Sequence, residues 1–201
     1  GKFIGGYYVA LLVLWAVLLG LGAMVIGPRV RALVSMIREP LLLAFSTASS
    51  EAAYPKTLEQ LERFGVSPRI ASFVLPLGYS FNLDGSMMYC TFATLLIAQA
   101  YGIDLSGTQL ITLLLLLLVT SKGIAGVPRA SLVVLAATLP HFGIPDAGLL
   151  LVLAVDQFLD MGRSATNVVG NSIASSVVAK WEGELSDPQS VAGPVEPAGV
   201  G

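Results

Sequence analysis

Apolar positions in this chain fall into two kinds of run, some long enough to cross a bilayer and some about half that length. Residues 3–26 carry no charge, and at 1.5 Å per residue they span the roughly 30 Å of a hydrocarbon core. They predict a spanning helix over 1–27, with Tyr7 and Tyr8 at an interface and Gly20 and Gly22 offering close approach to another helix. Pro28 closes the span. Arg29, Arg31 and Arg38 follow as a basic cluster that belongs in water, on the cytoplasmic side by the positive-inside rule.

The half-length runs come in pairs. Residues 40–45 lead into S-T-A-S-S-E-A-A-Y-P at 46–55, and a return arm at 56–69 carries Leu58, Leu61 and Phe64 at helical spacing. Residues 110–119 lead into T-S-K-G-I-A-G-V-P at 120–128, and a second arm follows at 132–139. Each pair predicts a re-entrant hairpin, the first over 28–69 and the second over 107–142. Non-helical backbone at membrane depth is tolerated only where protein or a wet cavity surrounds it. Between them, 70–102 is long enough to span but is interrupted by Asn82-Leu83-Asp84-Gly85. After the second hairpin, 145–182 reads as one helix without a turn signal, and 183–201 reads as a disordered tail. Residues 28–102 and 107–181 therefore repeat one outline, half-arm, tip, half-arm and a long helix polar at its middle. The predicted fold is an all-α integral membrane protein built as an inverted repeat of re-entrant hairpin plus broken transmembrane helix, with a binding site where the repeats meet.

The last helix carries the strongest chemistry. Asp156, Asp160, Arg163, Asn167 and Asn171 are spaced four, three, four and four residues apart. At about 100° per residue they fall within roughly 80° of one another, a single polar stripe. Two carboxylates and a guanidinium in such a helix are costly unless they face a cavity or a partner. Elsewhere, Glu51 in the first tip reads either as a loop carboxylate in water or as a carboxylate at depth able to carry a proton. Asp84 reads either as a helix cap or, with Asn82, as an oxygen donor beside unwound backbone that holds a cation.

Composition narrows the class. The chain is 55% apolar and 12% charged, about half the charge of an ordinary soluble domain. A net charge of −2 without a basic face argues against a nucleic-acid partner. Cys90 and His141 are each alone, so no disulfide framework, thiolate metal site or Ser-His or Cys-His centre is available, and no enzyme is predicted. His141 reads as a buried or interfacial histidine, with a proton relay as the alternative. The first apolar run begins at once after Gly1, which predicts a piece of a longer protein.

Four motifs in order, Ser49-Ser50-Glu51, P-L-G-Y-S-F-N-L-D-G-S at 76–86, S-K-G-I-A-G-V-P at 121–128 and D-x-x-x-D-M-G-R-S-x-x-N-V-x-G-N at 156–171, resemble the dicarboxylate/amino acid:cation symporter family. The likeness is greatest to the bacterial proton/glutamate symporters and runs to about Glu184. It implies the C-terminal half of such a protein, the transport domain of an elevator-type secondary transporter. It further implies a multi-pass protein of the cell inner membrane, trimeric through an N-terminal scaffold that this chain lacks. By resemblance, Asp160 holds the substrate α-ammonium, Arg163 its side-chain carboxylate and Asn167 its α-carboxylate. Ser164 and Ser86 line the same pocket, and backbone at Ser50 and from Val127 and Pro128 to Ala130 completes the cage. The second tip is the lid. A cation site is implied at Asn82, Asp84 and Asn167, and coupling residues at Glu51, Asn82, Asp84, Asp156 and Asn171.

The resemblance also bears on substrate and ion. Dicarboxylate members lack a carboxylate where Asp160 stands, and neutral amino-acid members lack the arginine, so having both implies glutamate or aspartate. Sodium-coupled members carry an acid where this chain has Asn171 and a hydroxyl where it has Ile124. Losing hard oxygen ligands disfavours sodium and implies protons, with Glu51 as carrier and Asp156 and Asp84 as runners-up. The alternatives are a C4-dicarboxylate substrate and sodium coupling. Arg129, where many members have Gly, reads either as a bridge to a carboxylate or as a means of widening the accepted dicarboxylates. No cofactor is implied.

Overall fold

A computed structural model describes residues 2–81, 84–120 and 130–188. Among these residues there is no strand, only an isolated antiparallel bridge between Val66 and Leu185. Ten α-helices run in order: α1 (Lys2–Ile26), α2 (Val30–Met36), α3 (Arg38–Thr47), α4 (Ser50–Phe64), α5 (Pro68–Phe81), α6 (Asp84–Ala100), α7 (Gly107–Thr120), α8 (Ala130–Thr138), α9 (Leu149–Leu153) and α10 (Asp156–Trp181). The turn from α1 into α2 uses Gly27 at φ +64°, a conformation that glycine adopts without strain, followed by Pro28. Among the described residues, the helical stretch Lys2–Met36 alone is long and apolar enough to cross a membrane. The apolar helices Gly107–Thr120 and Ser131–Phe142 are shorter.

The helices are arranged around α10, which packs against α1, α3, α4, α5 and α6. Its polar and small residues, Ser164, Thr166, Asn167, Asn171, Ser172, Ser175 and Ser176, are all buried. Large apolar side chains point outward instead, among them Val13, Val17 and Met24 of α1, Phe73 of α5 and Ile111 and Leu115 of α7. This is the reverse of a soluble bundle. A lipid surround supplies little hydrophobic drive between helices, so small residues that let backbones approach, together with hydrogen bonds, carry the packing. One apolar cluster joins α6, α7, α8 and the start of α1 around Leu159; a second joins α2, α4, α5 and the later part of α1 around Val169 and Ile173.

α1 is fastened to α10 by polar tips on aromatic rings. The Tyr7 hydroxyl donates to the Leu159 carbonyl at 3.0 Å, the Tyr8 hydroxyl to the Phe158 carbonyl at 2.7 Å, and the Trp15 indole N–H to Thr166 Oγ1 at 2.8 Å. Gly162 allows this approach. A Cβ there would lie 2.7 Å from Leu11 Cδ1 and 3.2 Å from both tyrosine rings.

The first hairpin has a much tighter tip than the Ser-rich stretch 46–55 suggests. Only Ala48, at φ +50°, and Ser49 separate α3 from α4. The Ser49 side chain accepts the Ala52 N–H at 3.2 Å, and the Ser49 N–H returns to the Ala44 carbonyl at 3.2 Å, so both helix ends are capped locally. Pro55 lies inside α4 and removes one backbone donor without ending the helix. Ala44 and Ala53, one on each arm, pack against Val168 of α10.

Two further expectations are corrected. The stretch 145–182 is not one helix: α9 ends at Leu153, and Val155, at φ −122° and ψ −1°, offsets it from α10. No Gly or Pro marks this break. Its consequence is that Asp156 stands in the first turn of α10, where unpaired N–H groups favour a carboxylate. The tail expected from residue 183 is also ordered at its start. The Ser67 N–H donates to the Glu184 carbonyl at 3.2 Å, and the Ser186 N–H to the Gly65 carbonyl at 2.8 Å. The Glu184 carboxylate takes the Ser67 hydroxyl and pairs with Arg69, and Asp187 pairs with Arg29. Gly65, at φ +108°, is required here, because a Cβ would fall on the Ser186 carbonyl. The Ser67 hydroxyl, then Arg69, hold the Glu184 carboxyl below its ordinary value of 4.5.

Candidate functional site

The polar stripe of α10 is met by α5 and α6, which cross it in the opposite chain direction. Gly78 lies against Asn171, Gly85 against Asn167 and Arg163, Ser86 against Arg163, and Tyr89 against Asp156. Glycine at 85 is needed for this contact. A Cβ there would fall on the Arg163 carbonyl, while the Gly85 N–H donates to Asn167 Oδ1 at 3.0 Å. Gly78 performs the same service one helix earlier, since a Cβ would come 2.5 Å from Asn171 Oδ1.

Within the stripe, the Arg163 guanidinium pairs with the Asp160 carboxylate through Nε and donates from Nη1 to Ser86 Oγ at 3.4 Å. Both charged side chains are largely buried, at 13% and 14% exposure. Their pairing offsets the cost of holding either charge there. Asp156 is buried and accepts the Tyr89 hydroxyl. Asn167 and Ser164 are buried, and Asn167 Nδ2 and Ser164 Oγ have no hydrogen-bond partner among the described residues. A buried donor left unmet costs about 1–3 kcal/mol. Two turns of α10 thus present an ion pair that an ion-bearing ligand can split, with an unmet amide and an unmet hydroxyl beside it.

The structure brings Ser86, Asp156, Asp160, Arg163, Ser164, Asn167 and Asn171 into one ladder. Ser50 joins from the side: it is buried, and its carbonyl accepts the Tyr79 hydroxyl at 2.9 Å. Tyr79 neighbours Gly78 and stacks edge-on with Tyr54, their centroids 5.2 Å apart. Glu51 is not brought into the ladder. Its side chain is exposed and accepts the Ser49 hydroxyl at 3.2 Å. Asp84 faces a different space, a crevice of about 410 Å³ between α1 and α10 that Gly22, Gly170 and Ile173 also line. Asn82, Val127 and Pro128, and with them Ile124 and Arg129, lie outside the described residues. Among the described residues no group of three or more His, Cys, Asp or Glu side chains could hold a metal ion.

The sequence reading missed Tyr89, Tyr79 and the α1 aromatics. Tyr89 had a signal: it stands one turn beyond Ser86 and two beyond Asn82, on the face that carries the NLDG polar groups. Tyr7 and Tyr8 read as interface aromatics because nothing local says that a carbonyl of another helix awaits them, and nothing local pairs Trp15 with the Thr166 hydroxyl.

An all-helical chain with a capped small-residue hairpin, a Gly-Ser contact on a charged helix and an ion pair inside apolar packing has a match among known families. Residues 1–181 fit the profile of the Sodium:dicarboxylate symporter family. The chain belongs to that family. It is 51% identical over 183 residues to the proton/glutamate-aspartate symporter of Escherichia coli (strain K12), covering 91% of this chain and 42% of that protein. With the proton/sodium-glutamate symport protein of Bacillus caldotenax it shares 49% identity over 181 residues, 90% of this chain and 43% of that one. With C4-dicarboxylate transport protein 2 of Polaromonas naphthalenivorans (strain CJ2) it shares 45% over 186 residues, 92% and 42% of the two. These family members are named as transporters rather than enzymes. The chain spans 42 to 43% of the length of these curated relatives.

Proposed function

We propose that the protein carrying this chain is a secondary symporter that imports glutamate or aspartate by alternating access, driven by protons. The observation that carries the reading is the Asp160–Arg163 pair with the unmet Asn167 amide and Ser164 hydroxyl beside it. An acidic amino acid exchanges that internal pair for two external ones. Its ammonium goes to Asp160 and its side-chain carboxylate to the Arg163 fork, which suits a planar carboxylate. Its α-carboxylate meets Asn167 Nδ2, and Ser164, Ser86 and backbone at Ser50, Val127 and Pro128 close the cage. Binding then satisfies donors that are otherwise buried unmet, which favours this ligand over one lacking either charge.

The two helical hairpins are read as re-entrant gates, and the α10-centred body as the part that crosses a multi-pass inner-membrane protein, in a trimer held by the segment outside this chain. Asn171 in place of an acid supports protons over sodium, with Glu51 at the first tip as carrier. A second reading, C4-dicarboxylate transport, is supported by the similarity to a protein of that name.

Uptake of labelled glutamate into proteoliposomes holding the full-length protein, under imposed proton or sodium gradients in turn, tests this. Proton-driven accumulation competed by aspartate supports the reading. Accumulation driven by sodium alone, or succinate uptake exceeding glutamate uptake, overturns it. Glu51→Gln is expected to abolish accumulation against the gradient while leaving exchange.

A further inference from the structure

The sequence groups Arg29, Arg31 and Arg38 as one basic cluster, and the structure separates them. Arg29 is engaged by the C-terminal segment, pairing with Asp187 and donating to the Leu185 carbonyl at 3.4 Å. Glu39, the acid next to Arg38, pairs instead with Lys56 at 3.2 Å. Arg31 and Arg38 are both exposed, and among the described residues neither side chain makes an ion pair or a hydrogen bond. Both line one crevice of about 360 Å³, whose remaining walls are Leu19 of α1 and Val30 and Val34 of α2. Arg31, Val34 and Arg38 stand three and four residues apart, the spacing that places them on one face where α2 passes into α3.

Two guanidinium groups that share a crevice repel one another until an anion sits between them. A free anion in water has no use for an aliphatic floor. This crevice has one, in Leu19, Val30 and Val34. An anion carrying an acyl chain matches both parts. We infer that the crevice binds an anionic phospholipid, its phosphate held by Arg31 and Arg38 and the start of a chain laid on Leu19, Val30 and Val34. The inference rests on the reading of α1 as a membrane span whose basic end faces the cytoplasmic leaflet, where anionic lipids attract juxtamembrane arginines.

Native mass spectrometry of the purified full-length protein, titrated with phosphatidylglycerol or with phosphatidylcholine of the same chains, tests it. Wild type is expected to retain phosphatidylglycerol in preference. R31Q/R38Q is expected to lower that affinity about thirtyfold, about fivefold per arginine, and to leave phosphatidylcholine unchanged. R31K/R38K should keep most of the preference, and R29Q all of it. If the double variant does not fold, R31Q and R38Q singly carry the test at about fivefold each. Undiminished phosphatidylglycerol retention by the glutamine variants overturns the proposal. So does competition by chain-free glycerol phosphate at the same concentration as the lipid, which assigns the crevice to a soluble phosphate.

Discussion

Gly85→Ala adds one methyl group at the closest approach between α6 and α10, and the structure says what that methyl meets. Its Cβ would fall on the Arg163 carbonyl, which is backbone and cannot rotate away. Either α6 moves off α10 or the Gly85 N–H loses its bond to Asn167 Oδ1. Overpacking of a tight contact costs about 1–3 kcal/mol, and the lost hydrogen bond about 1 kcal/mol more. Alanine's better helix propensity returns about 1 kcal/mol. The net is about 1–3 kcal/mol, applied where Ser86, Arg163 and Asn167 must keep their spacing. Glutamate affinity is expected to fall about tenfold or more, since about 1.4 kcal/mol is a factor of ten. Isothermal titration or scintillation proximity binding on the full-length protein measures this, beside a thermal unfolding midpoint. Gly20→Ala is the control: a Cβ there meets nothing within 4 Å, so it should be neutral or slightly stabilising. Wild-type affinity and midpoint in Gly85→Ala would refute the argued contact.

Other consequences follow from the same geometry. Arg163→Lys keeps the charge but loses the fork that pairs with Asp160 and reaches Ser86, so glutamate affinity should drop about 10–100-fold, for a loss of about 1.5–3 kcal/mol; unchanged uptake KM contradicts the pairing. Tyr89→Phe removes a donor to the buried Asp156 carboxylate and should destabilise by about 1.5–3 kcal/mol, read by denaturant or thermal unfolding. At the C-terminal clasp, Glu184 has a lowered folded pKa, so its contribution is full above about 4.5 and is lost as pH falls through the folded value. Hydrogen exchange at the Ser67 and Ser186 amides should therefore be slower in wild type than in Glu184→Gln above that pH, and the two should converge as pH falls below the folded value. Equal exchange at neutral pH, or a difference that persists in acid, contradicts the clasp.

Much of the architecture is legible in the sequence because it follows from local pattern. The span of α1 and the half-length arms of α3, α7 and α8 are written in run length. The α10 stripe is written in a period of 3.6, so its membership needed no knowledge of neighbours. The first tip misled because serine and alanine signal a turn by composition but continue a helix once Ser49 caps it. The offset at Val155 is silent because it carries no Gly or Pro.

The sequence by itself therefore determined which residues share a helix face and that one such face is too charged to be idle in lipid. Only the tertiary structure decided what each charge meets. Asp160 is held by Arg163, Asp156 by Tyr89 from another helix and Asn167 by the Gly85 backbone, while Glu51 remains exposed. The physical reason is that periodicity is a property of one helix, which here also carries the Asp160–Arg163 pair, whereas Asp156 and the Gly85 N–H are met by partners 67 and 82 residues away in the chain. Those partners are fixed by how closely two backbones can approach, which here turns on Gly78, Gly85 and Gly162.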